Sequence, residues 1–175
     1  MRLILRKFQP LVKRHPVIFI ILFFVSCSQH TPANQEPASN PDSLSAHLNK
    51  MMEKYAPGLG EIMGGIQTHH AKLWFAGVNN NWKLSEYEID EIKERFEQAS
   101  EIETSRPEVK MIPMIYPAID SVAGAIKQKN IRAFTSGFQL LTNSCNSCHT
   151  ANHFEFNIIT IPTAPPVTNQ DFKVH

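Results

Sequence analysis

Between residues 58 and 149, apolar side chains return every three or four positions, in four runs parted by short polar breaks. That period belongs to one face of a helix. Met63, Ile66, His70, Leu73, Trp74 and Gly77 share the first face, which Asn79-Asn80-Asn81 ends. Ile89, Ile92, Phe96 and Ala99 make the second, behind a Ser85/Glu88 pair at capping-box spacing. After a turn at 103–108, a third helix opens near Pro113 or Pro117, because proline is tolerated in a first turn. Its inward stripe is Ile115, Ile119, Val122 and Ile126, and the fourth helix carries Phe134, Phe138, Leu141, Cys145 and Cys148. A shorter pattern, Leu44, Leu48, Met51, Met52 and Tyr55, precedes these and stops at Pro57-Gly58. The expectation is an all-α domain over residues 44–175, an antiparallel four-helix bundle. Its last segment is not helical: Ile158 to Ile161 is extended and apolar, and Pro162, Pro165 and Pro166 stiffen the remainder. That tail is expected to lie over the bundle.

The rest of the chain adds little room for a second domain, since 175 residues suit one modest core. Residues 1–26 hold five of the 17 Lys/Arg and none of the 16 Asp/Glu, leaving twelve bases against sixteen acids beyond them. A mildly acidic body argues against nucleic-acid binding, which needs a concentrated basic face. The basic start runs into "VIFIILFFV", too short for the roughly 20 apolar residues of a membrane-spanning helix and suited to a signal-peptide core. Phe24-Val25-Ser26-Cys27 then resembles the cleavage box of bacterial lipoproteins, with Phe24 where leucine is usual. By that resemblance, residues 1–26 are removed and Cys27 carries lipid. The chain is then exported and lipid-anchored to a bacterial membrane on its periplasmic side. Residues 27–43, polar and broken by Pro32, Pro37 and Pro41, read as a flexible tether.

The chemistry gathers at Cys145-Asn146-Ser147-Cys148-His149. On a helix the two cysteines share a face at i, i+3, and His149 sits one turn beyond Cys145. Two thiols so placed reach two neighbouring vinyl groups on one porphyrin edge, with an imidazole at hand for the iron. C-x-x-C-H is the attachment pattern of haem c. A thioredoxin-like dithiol is expected to follow a strand and open a helix; here the pair closes one. A structural zinc site needs four ligands, and no second cysteine pair exists. A disulfide between cysteines three apart would close a tiny loop and stabilise little.

Only 26 residues come after His149, none of them methionine. With C-x-x-C-H near the end of the last helix, residues 58–153 resemble the class II cytochromes c, which include cytochrome c prime. The resemblance rests on Cys145, Cys148 and His149, and elsewhere on pattern. It implies covalent haem on the two cysteines, His149 as proximal iron ligand, and a sixth iron position facing the first bundle helix. It also implies that a homodimer would form through the first two helices. The stretches "HHAKLWFAGVNNNW" and "PPVTNQDF" are similar to those of small exported bacterial monohaem proteins.

In such a bundle His149 stands level with residues near 60–66, which makes Met63 the expected distal ligand, with Gly64 and Gly65 admitting the haem edge. His70 is the alternative, about 10 Å further along the axis at 1.5 Å per residue. His69 falls off the stripe and is expected to face solvent or to support the site from behind its ligands. Trp74, Phe134 and Phe138 are expected to line the pocket, with plain core packing as the alternative, and Lys72 is read as a solvated lysine, with contact to a propionate as the alternative. The functional expectation is single-electron transfer with a redox protein partner, without enzymatic activity. The alternatives are a five-coordinate gas-binding protein and the haem subunit of a larger oxidoreductase.

Overall fold

The computed structural model describes residues 41–175. The segment read as a signal peptide, Cys27 and most of the stretch read as a tether lie outside them. The described residues are helical with no strand: α1 (Pro41–Tyr55), α2 (Leu59–Val78), α3 (Trp82–Ile102), a 3-10 segment (Pro107–Ile115), α4 (Tyr116–Lys127) and α5 (Ile131–Ala151). Helix α1 reaches back to Pro41, into the stretch read as tether, and its side chains from Asp42 to Tyr55 are exposed.

Two short turns set the packing. In the first, each asparagine of 79–81 has its own task. Asn79 Nδ2 donates to the Phe75 carbonyl, satisfying one of the last-turn acceptors a helix leaves open. Asn80 takes φ 58°, the left-handed conformation that asparagine tolerates better than most residues. Asn81 caps α3, its side chain accepting from the Leu84 amide. This corrects the capping-box reading: α3 begins at Trp82, so Ser85 and Glu88 lie inside it and both are buried. The second turn repeats the device, with Lys129 at φ 51° and Asn130 capping α5 through the Ala133 amide. Connections this short reverse the chain, and α2 packs along α3 as α4 packs along α5. The two pairs meet where α3 touches α4 and α2 touches α5.

Four of the five predicted stripes supply the core, while that of α1 (Leu44, Leu48, Met51, Met52 and Tyr55) is exposed. Leu73, Ile89, Ile92, Phe96, Ala99, Ile119, Val122, Ile126, Phe134, Phe138 and Leu141 are all buried together. The third helix departs from expectation. Before α4 the chain winds as a 3-10 segment, whose three residues per turn put Val109, Ile112 and Ile115 on one buried row. The stretch Pro107–Lys127 is apolar enough by composition to cross a membrane. Its buried Val109, Ile112, Ile115, Ala118, Ile119, Val122, Ala125 and Ile126 belong to this core.

Beyond α5 the tail runs back along the body. Near its start, Ile159 is bonded to Asn146. Near its end, Phe172 is buried with its ring 5.8 Å from that of Phe75, and the Lys173 carbonyl accepts from Asn81 Nδ2. Those last contacts lie at the opposite end of α2 from Leu59.

Candidate functional site

At the Leu59 end of α2 the helices do not close on one another. They leave a cleft of about 280 Å³, walled by the first half of α2, the 3-10 segment, the last turns of α5 and tail residues Phe154, Asn157 and Ile159. Met63, His70, Cys145, Cys148 and His149 all line it. The sequence therefore named residues that the fold brings to one place. Cys27 is outside the described residues.

The α2 wall carries Leu59, Met63, Ile66, Gln67 and His70, with two glycines between them. A Cβ added at Gly60 or Gly64 would meet nothing within 4 Å, and both glycines border the cleft. Gly65 is different: it turns to Arg95, whose guanidinium lies 2.7 Å from where a Cβ would stand. Of the two glycines expected to admit a haem edge, only Gly64 faces the opening.

The thiols are half-buried. Burial, followed by the charge of Cys148, pushes the Cys145 thiol up to about 12; burial also raises Cys148. A dithiol built for exchange lowers a thiol pKa to make thiolate. These two stay protonated, as an exchange centre would not require. Among the described residues no three His, Cys, Asp or Glu are grouped to hold a metal ion. The four-ligand zinc reading has no donor set there.

His149 is half-buried, and its Nδ1 lies 2.6 Å from the Asn157 carbonyl. A carbonyl only accepts, so Nδ1 carries the proton and donates it. In the neutral ring Nε2 then holds the lone pair, as a metal-binding imidazole requires.

His70 is fixed differently. The Thr142 hydroxyl donates to the Phe138 carbonyl, so its oxygen accepts from His70 Nε2 at 2.9 Å. The ring lies against Phe138, centroids 4.4 Å apart, and burial pushes its pKa down to about 4. His70 is thus a neutral ring with Nε2 engaged.

Two expectations need correction. His69 is buried, not facing solvent. Its Nδ1 meets Glu88 at 2.7 Å and its Nε2 lies 3.6 Å from Glu91, because α3 packs over that side of α2. Trp74, Phe134 and Phe138 do not line the cleft. They interlock beyond it, Trp74 and Phe138 at 4.9 Å and Phe134 and Phe138 at 6.0 Å. Lys72 is absent from the cleft as well, and the cation bordering it is Arg106, paired with Glu108 at 3.2 Å.

The sequence reading missed Glu108, Met111 and Met114, which line the cleft from the 3-10 segment. Their own spacing of three was the available signal, as was the parallel spacing of Val109, Ile112 and Ile115. Glu108 Oε2 is buried with no hydrogen-bond partner. Asn146 and Asn157 were missed too; nothing local in the sequence shows that the tail turns back onto α5.

Compared with protein-family models, with curated proteins and with solved structures, the chain shows no match.

Proposed function

We propose that this chain is a monohaem c-type cytochrome of the class II kind, with α2, α3, α4 and α5 forming an antiparallel four-helix bundle. It would be exported and held to a membrane by lipid on Cys27, passing single electrons to or from a redox protein. One observation carries the reading. Cys145, Cys148 and His149 share the wall of an apolar cleft, and the His149 proton is committed to Asn157, leaving Nε2 for iron.

The residues present suit the group. Two half-buried, protonated thiols provide the thioether positions, and Gly60 and Gly64 put no side chain into the cleft they border. When bound, haem supplies one-electron chemistry between two iron oxidation states. The chain's residues set the conditions for it. Cys145 and Cys148 anchor, His149 offers the proximal nitrogen, and Val109, Ile112 and Ile115 keep water from the cleft floor. Met63, half-buried on the α2 wall, is the distal ligand in this reading, and a thioether there raises the reduction potential relative to a second imidazole. His70 remains the alternative, though coordination through Nε2 would require breaking its bond to Thr142.

The test is the visible spectrum of the reduced protein, with and without carbon monoxide, for wild type and Met63→Ala. The expected result is a low-spin wild type that ignores carbon monoxide and a variant that binds it. A high-spin wild type that binds carbon monoxide would replace electron carriage with gas binding. An unchanged low-spin spectrum in Met63→Ala would transfer the ligand role to His70.

A further inference from the structure

Asn146 occupies the first variable position of the C-x-x-C-H pentapeptide, where haem attachment makes no demand on residue type. Its carboxamide nevertheless makes two bonds to a single residue of the tail. Nδ2 donates to the Ile159 carbonyl at 2.9 Å, and Oδ1 accepts from the Ile159 amide at 2.8 Å. A side-chain amide here does what a neighbouring strand would do, satisfying donor and acceptor of one extended residue together. Asparagine alone suits this spacing: aspartate lacks the donor, and glutamine carries the same group one methylene further out.

The clasp sits beside the imidazole it would serve. Asn146 and His149 are neighbours on one face of α5 at i, i+3. Asn157 and Ile159 are alternate residues of the tail, and His149 meets the first as Asn146 meets the second. Little else holds this loop. Phe156, Asn157 and Ile158 are exposed, with Ile158 at 69%. Other ties are the Phe154 amide on the His149 carbonyl, the Asn157 amide on the Phe154 carbonyl and the Phe154–Phe156 ring contact, all within the turn itself, and Ile161 packing on the core two residues past the clasp.

We propose that Asn146 is a positioning residue for the iron ligand: by clasping Ile159 it holds the Asn157 carbonyl on Nδ1 of His149, and so sets the basicity and orientation of the imidazole. This rests on reading His149 as the proximal ligand. A carbonyl held at 2.6 Å from Nδ1 draws electron density toward Nε2. A more basic ligand favours the oxidised iron and lowers the reduction potential. Outer partners of ligating histidines typically contribute 10–100-fold to metal affinity or activity when removed.

The experiment uses the full haem-loaded chain in four forms: wild type, Asn146→Ala, Ile159→Pro and the double variant. Ile159→Pro removes the amide that Asn146 accepts from, attacking the clasp from the tail side without touching the pentapeptide. Midpoint potential is read by spectroelectrochemistry, and exchange of the His149 Nδ1 proton by NMR. Each single variant is expected to shift the redox equilibrium about tenfold toward reduction, a rise of about 59 mV for one electron. The ring proton should exchange at least tenfold faster, and the double variant should add nothing further. Asn146→Asp keeps the acceptor and should fall between wild type and Asn146→Ala in proton exchange. Properly folded, haem-bearing single variants with wild-type potential and proton exchange would overturn the proposal while leaving the cytochrome reading intact. Additive shifts in the double variant would also overturn it, because they would mean the two residues act separately. A wild type without covalent haem would overturn both.

Discussion

At Gly77 an added Cβ would fall 2.0 Å from the Phe134 ring, whereas at Gly64, nearer the start of the same helix, it would meet nothing within 4 Å. The first glycine is small because the far end of the molecule is filled. Phe134 is fully buried and lies within 6.3 Å of Trp74, Trp82 and Phe138, ring to ring, and it occupies the space a Cβ would need. The second is small where the near end is open, beside the thiols and His149. Both glycines carry the same helix cost, roughly 1 kcal/mol against alanine. At one end that cost is offset by packing within the chain. At the other, Gly64 is exposed where it borders the cleft, and the chain sets no contact against it.

The comparison can be broken from the filled end first. Phe134→Ala should cost about 3–5 kcal/mol, the usual loss for a large aromatic in a core. Urea denaturation measures it, and a loss below about 1 kcal/mol would mean the filled end is not a tight core.

His70 stands between the two ends and gives the next largest effect. Its imidazole binds a proton more weakly in the folded chain, near pH 4, than in the unfolded one, near 6.5. The unfolded chain therefore takes up the proton first on acidification. His70's contribution is complete above pH 6.5 and drains away as pH falls toward 4, by about 3 kcal/mol in all. Urea midpoints traced from about pH 7.5 down to 4 should fall more steeply for wild type than for His70→Leu; parallel curves would contradict the buried neutral ring.

Gly77→Ala should destabilise by about 1–3 kcal/mol through overpacking, despite alanine's better helix propensity. Combining it with Phe134→Leu, which retracts the clashing ring, should recover part of that loss.

Gly64→Ala gives the smallest and opposite change, a gain of up to about 1 kcal/mol from helix propensity alone. Gly64→Leu sharpens the contrast. It should fold as well as wild type yet carry less covalently bound haem per chain, read from the alkaline pyridine spectrum. Equal haem loading would show that the missing side chain is not what admits the group.

The helices were legible because burial imposes a period. Each stripe named from spacing, from Leu73 to Leu141, is in the core. The readings that failed concern side chains whose fate depends on a neighbour out of sequence view. His69 reads as exposed on α2 alone, and α3 buries it against Glu88. Ser85 and Glu88 spell a cap, but Asn81 had already started the helix. Trp74, Phe134 and Phe138 read as pocket lining and instead interlock beyond it. The 3-10 segment was missed because the turn was ended at 108 and the third helix opened only near Pro113 or Pro117, and with it went Glu108, Met111 and Met114.

By itself, the sequence determined the helical stripes, the asparagine-rich turns and the juxtaposition of Cys145, Cys148 and His149, since each is a matter of local spacing along one helix. Only the tertiary structure decided which polar side chains are buried, where the molecule stays open, and that Asn157 would meet His149. Those outcomes depend on which surfaces face each other once the chain has reversed, and residue spacing within a single element carries no record of that.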